Sequence, residues 1–189
     1  CNKTGAAHTP PRGGGGFAWV FPPPRRRGGG GGGGGAKSGF DAVIGNPPYI
    51  RIQTMREWAP LEVEFYKQRY AAASKGNYDI YVVFVERGLQ LLNKKGRLGF
   101  ILPHKFFNAK YGEGLRTILS AGRHVAEVVH FGDQQVFAGA STYTCLMFLD
   151  KAPTKSVKVT AVSDLSEWRS SGEGVVGTIP AAEITASAW

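Results

Sequence analysis

One tetrapeptide in the chain combines residue types suited to chemistry. Asn46, Pro47, Pro48 and Tyr49 directly follow the apolar run "FDAVIG", which reads as a strand ending at the prolines. Asn46 offers a side-chain carbonyl acceptor, and the two prolines, which lack an N–H, predict a stiff turn with unpaired backbone carbonyls. Tyr49 adds a flat aromatic face. Two acceptors beside an aromatic ring suit a planar group that bears an NH2.

An NH2 group on a base is a weak nucleophile, because its lone pair is delocalised into the ring. Two acceptors that hold its hydrogens favour a tetrahedral nitrogen and direct the lone pair at an electrophile, by positioning and preorganised electrostatics rather than by a strong base. A base in a duplex must first leave the stack, and aromatic side chains then hold it. A rigid turn without chemistry is the alternative interpretation of the tetrapeptide.

The apolar patterns around this turn predict alternating strands and helices. Residues 61–73 read as a helix with Leu61, Phe65 and Tyr66 at helical spacing, and the stretch "NYDIYVVFVERGLQLLNKKG" reads as a helix capped by Asn77. The run "RLGFILP" is typical of a short buried strand, and a third helix is predicted near residues 111–121. The segments "HVAEVVHF", "STYTCLMFLDK" and "SVKVTAV" read as strands, being rich in β-branched and aromatic residues.

This order predicts an α/β fold with a mostly parallel sheet. The connection "GDQQVFAGA" between the last two long strands is too short for a parallel crossover, so we expect those two strands to pair antiparallel. In an open α/β sheet, ligands bind beyond the carboxyl ends of the strands, which is where residues 46–49 lie.

Composition separates the first 39 residues from the rest. Residues 1–39 hold a long glycine run and six basic residues without an acidic one, which predicts a flexible linker or a disordered insertion. The 189-residue chain has a formal net charge of +9, but the other 150 residues carry 17 basic and 14 acidic ones, a net of +3. The charge alone therefore does not predict nucleic-acid binding. Residues 40–152 read as the catalytic part and residues 153–189 as a C-terminal extension.

Cysteine usage and hydropathy bound the location of the protein. Cys1 and Cys145 form no disulfide framework, so a reducing cytoplasm is the default expectation. No apolar stretch approaches the ~20 residues of a membrane helix, and no signal peptide is recognisable at the N-terminus. We therefore expect a cytoplasmic protein without a membrane partner, and we predict no metal site.

The residues around the tetrapeptide resemble a known family. The segment "GFDAVIGNPPYIR" resembles the catalytic motif of amino-group methyltransferases that use S-adenosylmethionine. The later segments "YDIYVVFVERGLQLLNKKGRLGFILPHKFF" and "VVHFGDQQVFAGASTYTCLMFLDK" resemble, in the same order, those of adenine-specific DNA methylases of type II restriction–modification systems, the Eco57I/TaqI-like group. The likeness covers roughly residues 39–152. It implies the C-terminal half of a Rossmann-like methyltransferase fold, with a final antiparallel strand.

The resemblance also implies roles for single residues. Asn46 and the carbonyl of Pro47 would bind the adenine N6 amine, Pro48 completes the motif, and Tyr49 would stack on an adenine extruded from double-stranded DNA. Phe137, in "QVFAG", would contact the other side of that base. The implied activity is transfer of a methyl group from S-adenosylmethionine to adenine N6 at a specific DNA site.

Two further assignments are weaker on sequence grounds. Phe84 falls where the family places an aromatic residue beside the adenine of the cofactor, although a core residue of a helix is the alternative. Lys105 follows a strand end and is placed to contact a phosphate, with a solvated surface lysine as the alternative. Asp79 reads only as a carboxylate favoured by a helix start.

The chain departs from the family in one respect. A glycine-rich turn after the first strand, with an acidic residue ending the second, is expected before residue 40, and residues 1–39 contain no such pattern. We therefore expect the cofactor-binding half to be missing. A target-recognition domain and a nuclease domain are possible further parts of the parent protein.

Three other interpretations stay open at this stage. The first is a protein or RNA methyltransferase, since glutamine-specific protein methyltransferases also use this tetrapeptide and a side-chain amide is an equally weak nucleophile. A fragment that keeps the fold but has no activity is the second interpretation, and a generic α/β domain with a proline turn is the last.

Overall fold

The computed structural model describes residues 39–137 and 142–189. The predicted linker over residues 1–39 lies outside the described residues, apart from Gly39. The helices of the described part are α1 (Ile52–Trp58), α2 (Pro60–Arg69), α3 (Tyr81–Leu91), α4 (Glu113–Ala121) and α5 (Leu165–Ser171). The strands are β1 (Phe40–Gly45), β2 (Leu92–Pro103), β3 (Val125–His130), β4 (Thr144–Asp150), β5 (Ser156–Ala161) and β6 (Val175–Pro180).

These strands form a single six-stranded sheet in the order β1-β2-β4-β3-β5-β6 within the described residues. The pairs β1·β2 and β3·β5 are parallel, whereas β4 runs antiparallel to both of its neighbours and β6 runs antiparallel to β5. Four strands therefore point the same way, as expected of a mostly parallel sheet. The predicted antiparallel pairing of the last two long strands is confirmed in β3·β4.

The main core lies on the face of the sheet that α3 and α4 cover. Leu98, Phe100 and Leu102 alternate along β2 and are all buried in this core, together with Leu89 of α3 and Leu115 of α4. Full burial of one such side chain stabilises the fold by about 1.5–3 kcal/mol. The core therefore fixes which residues of β2 face the helices, and this alternation continues to the carboxyl end of the strand.

The opposite face of the sheet carries a smaller apolar cluster. Val129, Phe131 and Val162 form it, and Trp168 of α5 packs edge-to-face on Phe131 at 5.1 Å between ring centroids. The boundary predicted at residue 152 falls between β4 and β5. Because β5 pairs with β3, residues 156–161 extend the same sheet. The assignment of residues 153–189 as an extension toward a recognition domain stays a prediction.

Several local predictions need correction. Helix α1 and the pair α5–β6 were not predicted, and β2 begins at Leu92, directly after α3, instead of near residue 97. Leu61 and Phe65 do not face a core, since they are 86% and 56% exposed. Asn77 does not cap α3, which begins at Tyr81 after Ile80. Asn77 stays outside the helix because two backbone hydrogen bonds hold the segment before α3 against the chain that follows β1.

Among residues 39–137 and 142–189, no helix is both long enough and apolar enough to span a bilayer.

Candidate functional site

Residues 46–49, which we call the proline corner, follow β1 at the edge of the sheet where the parallel strands β1 and β2 end. Asn46 is exposed and Pro47 is buried. The described backbone donates no N–H to the carbonyls of Pro47 and Pro48. Within the described residues the corner therefore has unpaired acceptors, and Asn46 is its exposed member.

Tyr49 is held in place by the neighbouring strand. Its hydroxyl donates a hydrogen bond to the carbonyl of Ile101 in β2, at 2.9 Å, and its ring packs edge-to-face on Tyr81 at 6.3 Å. Burial, assisted by the nearby Cys145 thiol, raises the pKa of Tyr49 well above its ordinary value. The hydroxyl therefore stays protonated, and the hydrogen bond fixes the direction in which the ring points.

A short antiparallel ladder fixes the chain after the corner. Ile52 donates its N–H to the carbonyl of Tyr78 at 2.9 Å, and Ile80 donates its N–H to the carbonyl of Ile50 at 2.8 Å. Arg51 and Asp79 lie opposite each other between these two bonds. In such a non-hydrogen-bonded pair the two side chains lie close together. The ladder therefore places a cation and a carboxylate beside the proline corner.

Asp79 has a perturbed carboxylate. Burial raises its pKa above the ordinary value, and the charges of Lys105 and Arg51 oppose this shift, as does a long hydrogen bond of 3.4 Å from the hydroxyl of Tyr111. On sequence grounds Asp79 has only the role of a helix-start carboxylate. The structure instead places its side chain in a cleft beside Tyr49.

This cleft has a volume of about 410 Å³. Its lining comes from the ends of β1 and β2, from the segment before α3 and from the residues before β4, and consists of Tyr49, Arg51, Asp79, His104, Lys105, Asn108, Thr142 and Tyr143. The sequence singled out Tyr49 and Lys105 as site residues, and the structure brings these two together. Lys105 lies exposed on the turn His104–Phe107 that follows β2.

Two rings of the cleft lining, those of His104 and Tyr143, pack together with the ring of His130, which lies outside the lining. We call these three residues the aromatic wall. The ring of His104 lies nearly parallel to that of Tyr143, at 6.3 Å and 9°, and 4.6 Å from the ring of His130. Sequence reasoning missed all three residues. The available signal was alternation, since His104 continues the buried series Leu98, Phe100, Leu102 of β2 by two residues.

His104 is the member of the aromatic wall whose pKa is shifted. Burial lowers its pKa, the neighbouring His130 lowers it further, and a contact with the backbone of Thr144 opposes the shift. The ring is therefore neutral near pH 7. Its Nδ1 atom is buried without a hydrogen-bond partner among the described residues. Leaving such an atom unpaired costs roughly 1–3 kcal/mol.

The remaining predicted site residues, including Asn46, Pro47 and Pro48 of the proline corner, lie outside the cleft lining. Phe137 is 38% exposed in the connection after β3, directly before the undescribed residues 138–141. Phe84 lies on α3, where it is half-buried and packs against the main core. Their assignment to the base and to the cofactor stays a prediction. The described part of the chain contains no cluster of three or more metal-ligating side chains.

Comparison with known proteins adds an independent observation. Residues 10–137 match the Eco57I restriction-modification methylase family. The match begins inside the segment predicted to be a linker. The type II restriction enzyme and methyltransferase RM.Eco57I of Escherichia coli is 39% identical over 129 residues, which are 68% of this chain and 13% of that protein. The chain thus spans about an eighth of that relative.

Solved structures show the fold. A Listeria monocytogenes protein assigned to the class I S-adenosylmethionine-dependent methyltransferases aligns with a TM-score of 0.54 at 18% identity, over 70% of this chain and 39% of the other. DrdV, solved by cryo-electron microscopy in a complex with DNA, aligns with a TM-score of 0.54 at 19% identity, over 73% of this chain and 17% of the other. The described residues therefore have a fold found in S-adenosylmethionine-dependent methyltransferases.

Proposed function

This chain belongs to the Eco57I restriction-modification methylase family, and from that premise we propose that it forms the base-binding part of a DNA adenine N6 methyltransferase. The substrate is an adenine extruded from double-stranded DNA, and the methyl donor is S-adenosylmethionine. The observation that carries this proposal is the proline corner, with its acceptors unpaired and its tyrosine lining a cleft at the carboxyl edge of the sheet.

The corner acts on the amine of the base. The side-chain oxygen of Asn46 and the carbonyl of Pro47 accept hydrogen bonds from the two N6 hydrogens. Asn46 is free to do so, because its side chain is exposed and has no hydrogen-bond partner among the described residues. Holding both hydrogens out of the ring plane weakens delocalisation of the nitrogen lone pair, and preorganised acceptors do this without reorganisation in the transition state.

Aromatic side chains hold the extruded base. The ring of Tyr49 stacks on one face, and Phe137 contacts the other. Each base–aromatic contact is worth about 1–3 kcal/mol, which offsets part of the cost of unstacking the base. The hydrogen bond from Tyr49 to Ile101 fixes the orientation of the first ring before the base arrives.

The described residues fit one contact of the cofactor. Phe84 is half-buried on α3 and keeps part of its ring exposed, as a stacking contact with the cofactor's adenine requires. When bound, S-adenosylmethionine supplies a methyl group on a positively charged sulfur. Residues 39–137 and 142–189 contain no glycine-rich turn between a strand and a helix, so we propose that the other cofactor contacts come from elsewhere in the protein.

Methyl transfer to the N6 amine requires no strong base. The N6 lone pair forms the new nitrogen–carbon bond while the carbon–sulfur bond breaks and its electrons stay on sulfur. The methylated nitrogen then loses one proton to solvent. Asn46 and Pro47 act only on the geometry of the amine, since neither group takes a proton near pH 7.

Double-stranded DNA is the proposed partner. Arg51 and Lys105 line the same cleft as Tyr49 and are placed to contact phosphates that flank the extruded base. The name of RM.Eco57I includes a restriction enzyme and DrdV was solved with DNA, which supports a restriction–modification role and a nuclease in the parent protein.

The proposal is tested by following the methyl group. Full-length enzyme is incubated with methyl-labelled S-adenosylmethionine and with DNA, RNA or a glutamine-containing peptide, and the products are digested and analysed by mass spectrometry. We expect label in N6-methyladenine from DNA, and background label in the Asn46→Ala variant. Label on cytosine, on RNA alone or on glutamine would refute the proposal.

A second measurement addresses this chain by itself. Calorimetric titration of the purified chain with S-adenosylmethionine reports whether it holds the cofactor without further segments. We expect binding much weaker than that of the full-length enzyme, because the described residues provide a single candidate contact. Equal affinity would show that this chain supplies the complete cofactor site.

A further inference from the structure

The alternation of side chains along β4 places one aromatic ring beyond the core, in the lining of the cleft. Leu149, Met147 and Cys145 alternate along β4 and are buried in the main core. Tyr143 comes two residues before Cys145 and continues the same face of the strand. It is 46% exposed, and it lines the cleft that also contains Tyr49.

The exposure of Tyr143 differs from that of a nearby aromatic ring that packs in the core. Phe106, which lies beside the same edge of the sheet, has no exposed surface. Tyr143 instead keeps nearly half of its side chain open to a cleft that also holds two cationic side chains, Arg51 and Lys105. An exposed aromatic face next to cations is the arrangement that proteins use to stack an unpaired base while contacting its backbone.

His104 fixes the position of Tyr143 in two ways. The main-chain N–H of His104 donates to the carbonyl of Tyr143 at 3.4 Å, which extends the β2·β4 ladder by one pair. The two rings lie within 9° of parallel, with centroids 6.3 Å apart, an offset stack. His130 packs behind His104 at 4.6 Å. The ring of Tyr143 therefore has a fixed orientation before any ligand binds.

We propose that Tyr143 is a further base-contacting residue of the cleft, which stacks on an unstacked nucleobase of the substrate strand, and that His104 is its positioning residue. This inference rests on the proposed function, because it takes the cleft to receive DNA. It adds a base contact from the start of β4 to those of Tyr49 and Phe137. The unstacked base is either the methylated one or its neighbour.

The first test replaces Tyr143 in the full-length enzyme. Tyr143→Leu keeps apolar volume but removes the flat face, and Tyr143→Phe keeps the ring as the matched control. We expect Tyr143→Leu to raise the KM for duplex DNA about tenfold, the scale of one lost stacking contact, and Tyr143→Phe to stay within twofold of the unmodified enzyme. Equal KM values for all three proteins would overturn the proposal.

A fluorescence titration works without turnover and identifies the base. Duplexes carry 2-aminopurine either at the target position or at the position beside it, and each is titrated with enzyme. Stacking quenches 2-aminopurine, so the complex with Tyr143→Leu should be brighter than the Tyr143→Phe complex at whichever position the ring contacts. Identical fluorescence of both variants at both positions contradicts a stacking role, whether or not the enzyme methylates DNA.

His104 is tested by rescue. We expect His104→Leu to raise the KM for DNA several-fold with kcat nearly unchanged, and His104→Phe, which keeps a flat ring, to restore the KM. If His104 has only a structural role, each of the two variants should change KM and kcat together. If Tyr143→Leu does not fold, Tyr143→Trp replaces it, and a KM raised tenfold by this larger ring would count against stacking.

Failure of the proposed function and failure of the role of Tyr143 give different experimental results. If the unmodified enzyme makes no N6-methyladenine, the proposed function fails, and the 2-aminopurine titration still decides whether Tyr143 contacts a base. If the unmodified enzyme methylates adenine and Tyr143→Leu behaves identically, only the role of Tyr143 fails.

Discussion

The proline corner contributes Tyr49 to the cleft and the aromatic wall contributes His104 and Tyr143, but the two groups are built in different ways. The corner consists of four consecutive residues that follow one strand, so its composition is visible in the sequence. The aromatic wall takes His104 from the end of β2, His130 from the end of β3 and Tyr143 from the start of β4. Its members become neighbours only because β4 pairs with both of the other strands.

The corner and the wall also differ in the interactions that hold them in place. The corner is stiff because of its prolines, and a single hydrogen bond to Ile101 orients its tyrosine. The wall depends on the register of two strand pairs and includes a buried nitrogen atom that has no hydrogen-bond partner in the described part of the chain. We therefore expect changes in the acceptors of the corner to affect the chemical step, and changes in Tyr49 or in the wall to affect binding and stability.

The largest effect is expected from Asn46→Ala. Losing one of two preorganised acceptors should slow methyl transfer by about 10²–10³-fold. Single-turnover methylation by the full-length enzyme measures this step without product release. Asn46→Asp, which keeps an acceptor oxygen at the same position, is the matched control and should lose less. A single-turnover rate for Asn46→Ala equal to that of the unmodified enzyme would remove the corner from the mechanism.

Phe137→Ala should have an intermediate effect. Removing one base contact is expected to weaken the grip on the extruded base by about 1–3 kcal/mol. The fluorescence of 2-aminopurine at the target position reports the change, and Phe137→Tyr, which keeps the ring, serves as control. Unchanged fluorescence in Phe137→Ala would show that the contact comes from another side chain. The Tyr143 variants would then test whether Tyr143 makes that contact.

Tyr49→Phe separates the ring of the corner from its anchor. The variant keeps the aromatic face but loses the hydrogen bond to Ile101, and we expect a loss of about 0.5–1.5 kcal/mol in the free energy of unfolding. Urea denaturation of the purified protein measures it. Because the ring remains, DNA binding should change less than stability. A variant as stable as the unmodified protein would show that the hydrogen bond makes no net contribution.

His104→Phe should have the smallest effect and the opposite sign. Replacing the unpartnered ring nitrogen by carbon is expected to stabilise the protein at neutral pH by about 1 kcal/mol. Urea denaturation at pH 7.5 measures this gain. A decrease in stability would show that the nitrogen has a partner in solution.

His104→Phe should also change how the stability of the protein depends on pH. Because burial lowers the folded-state pKa of His104, the unfolded chain binds a proton first as the pH falls below the ordinary histidine value of about 6.5. The unmodified protein should therefore lose stability below that pH, and His104→Phe should lose less over the same range. Parallel stability curves for the two proteins between pH 7.5 and 5.5 would contradict a lowered pKa.

Much of the sheet was predictable, because apolar alternation reports burial directly. The strand before the corner, the strand through Leu98 and the β3·β4 pair all followed from their own residues. Helix α2 shows the limit, since Leu61 and Phe65 have helical spacing but remain exposed. Periodicity shows that one face of a helix is apolar, but whether another element packs against that face depends on the rest of the fold.

Short contiguous segments were enough to predict the proline corner, the strand that carries it and the family, because all three reside in neighbouring residues with strong local preferences. The position of Asp79 opposite Arg51 and the parallel rings of His104 and Tyr143 in the cleft became visible only in the fold. These contacts join residues that lie far apart along the chain. Strand register and backbone pairing place them together, and neither can be read from the spacing of residue types in one segment.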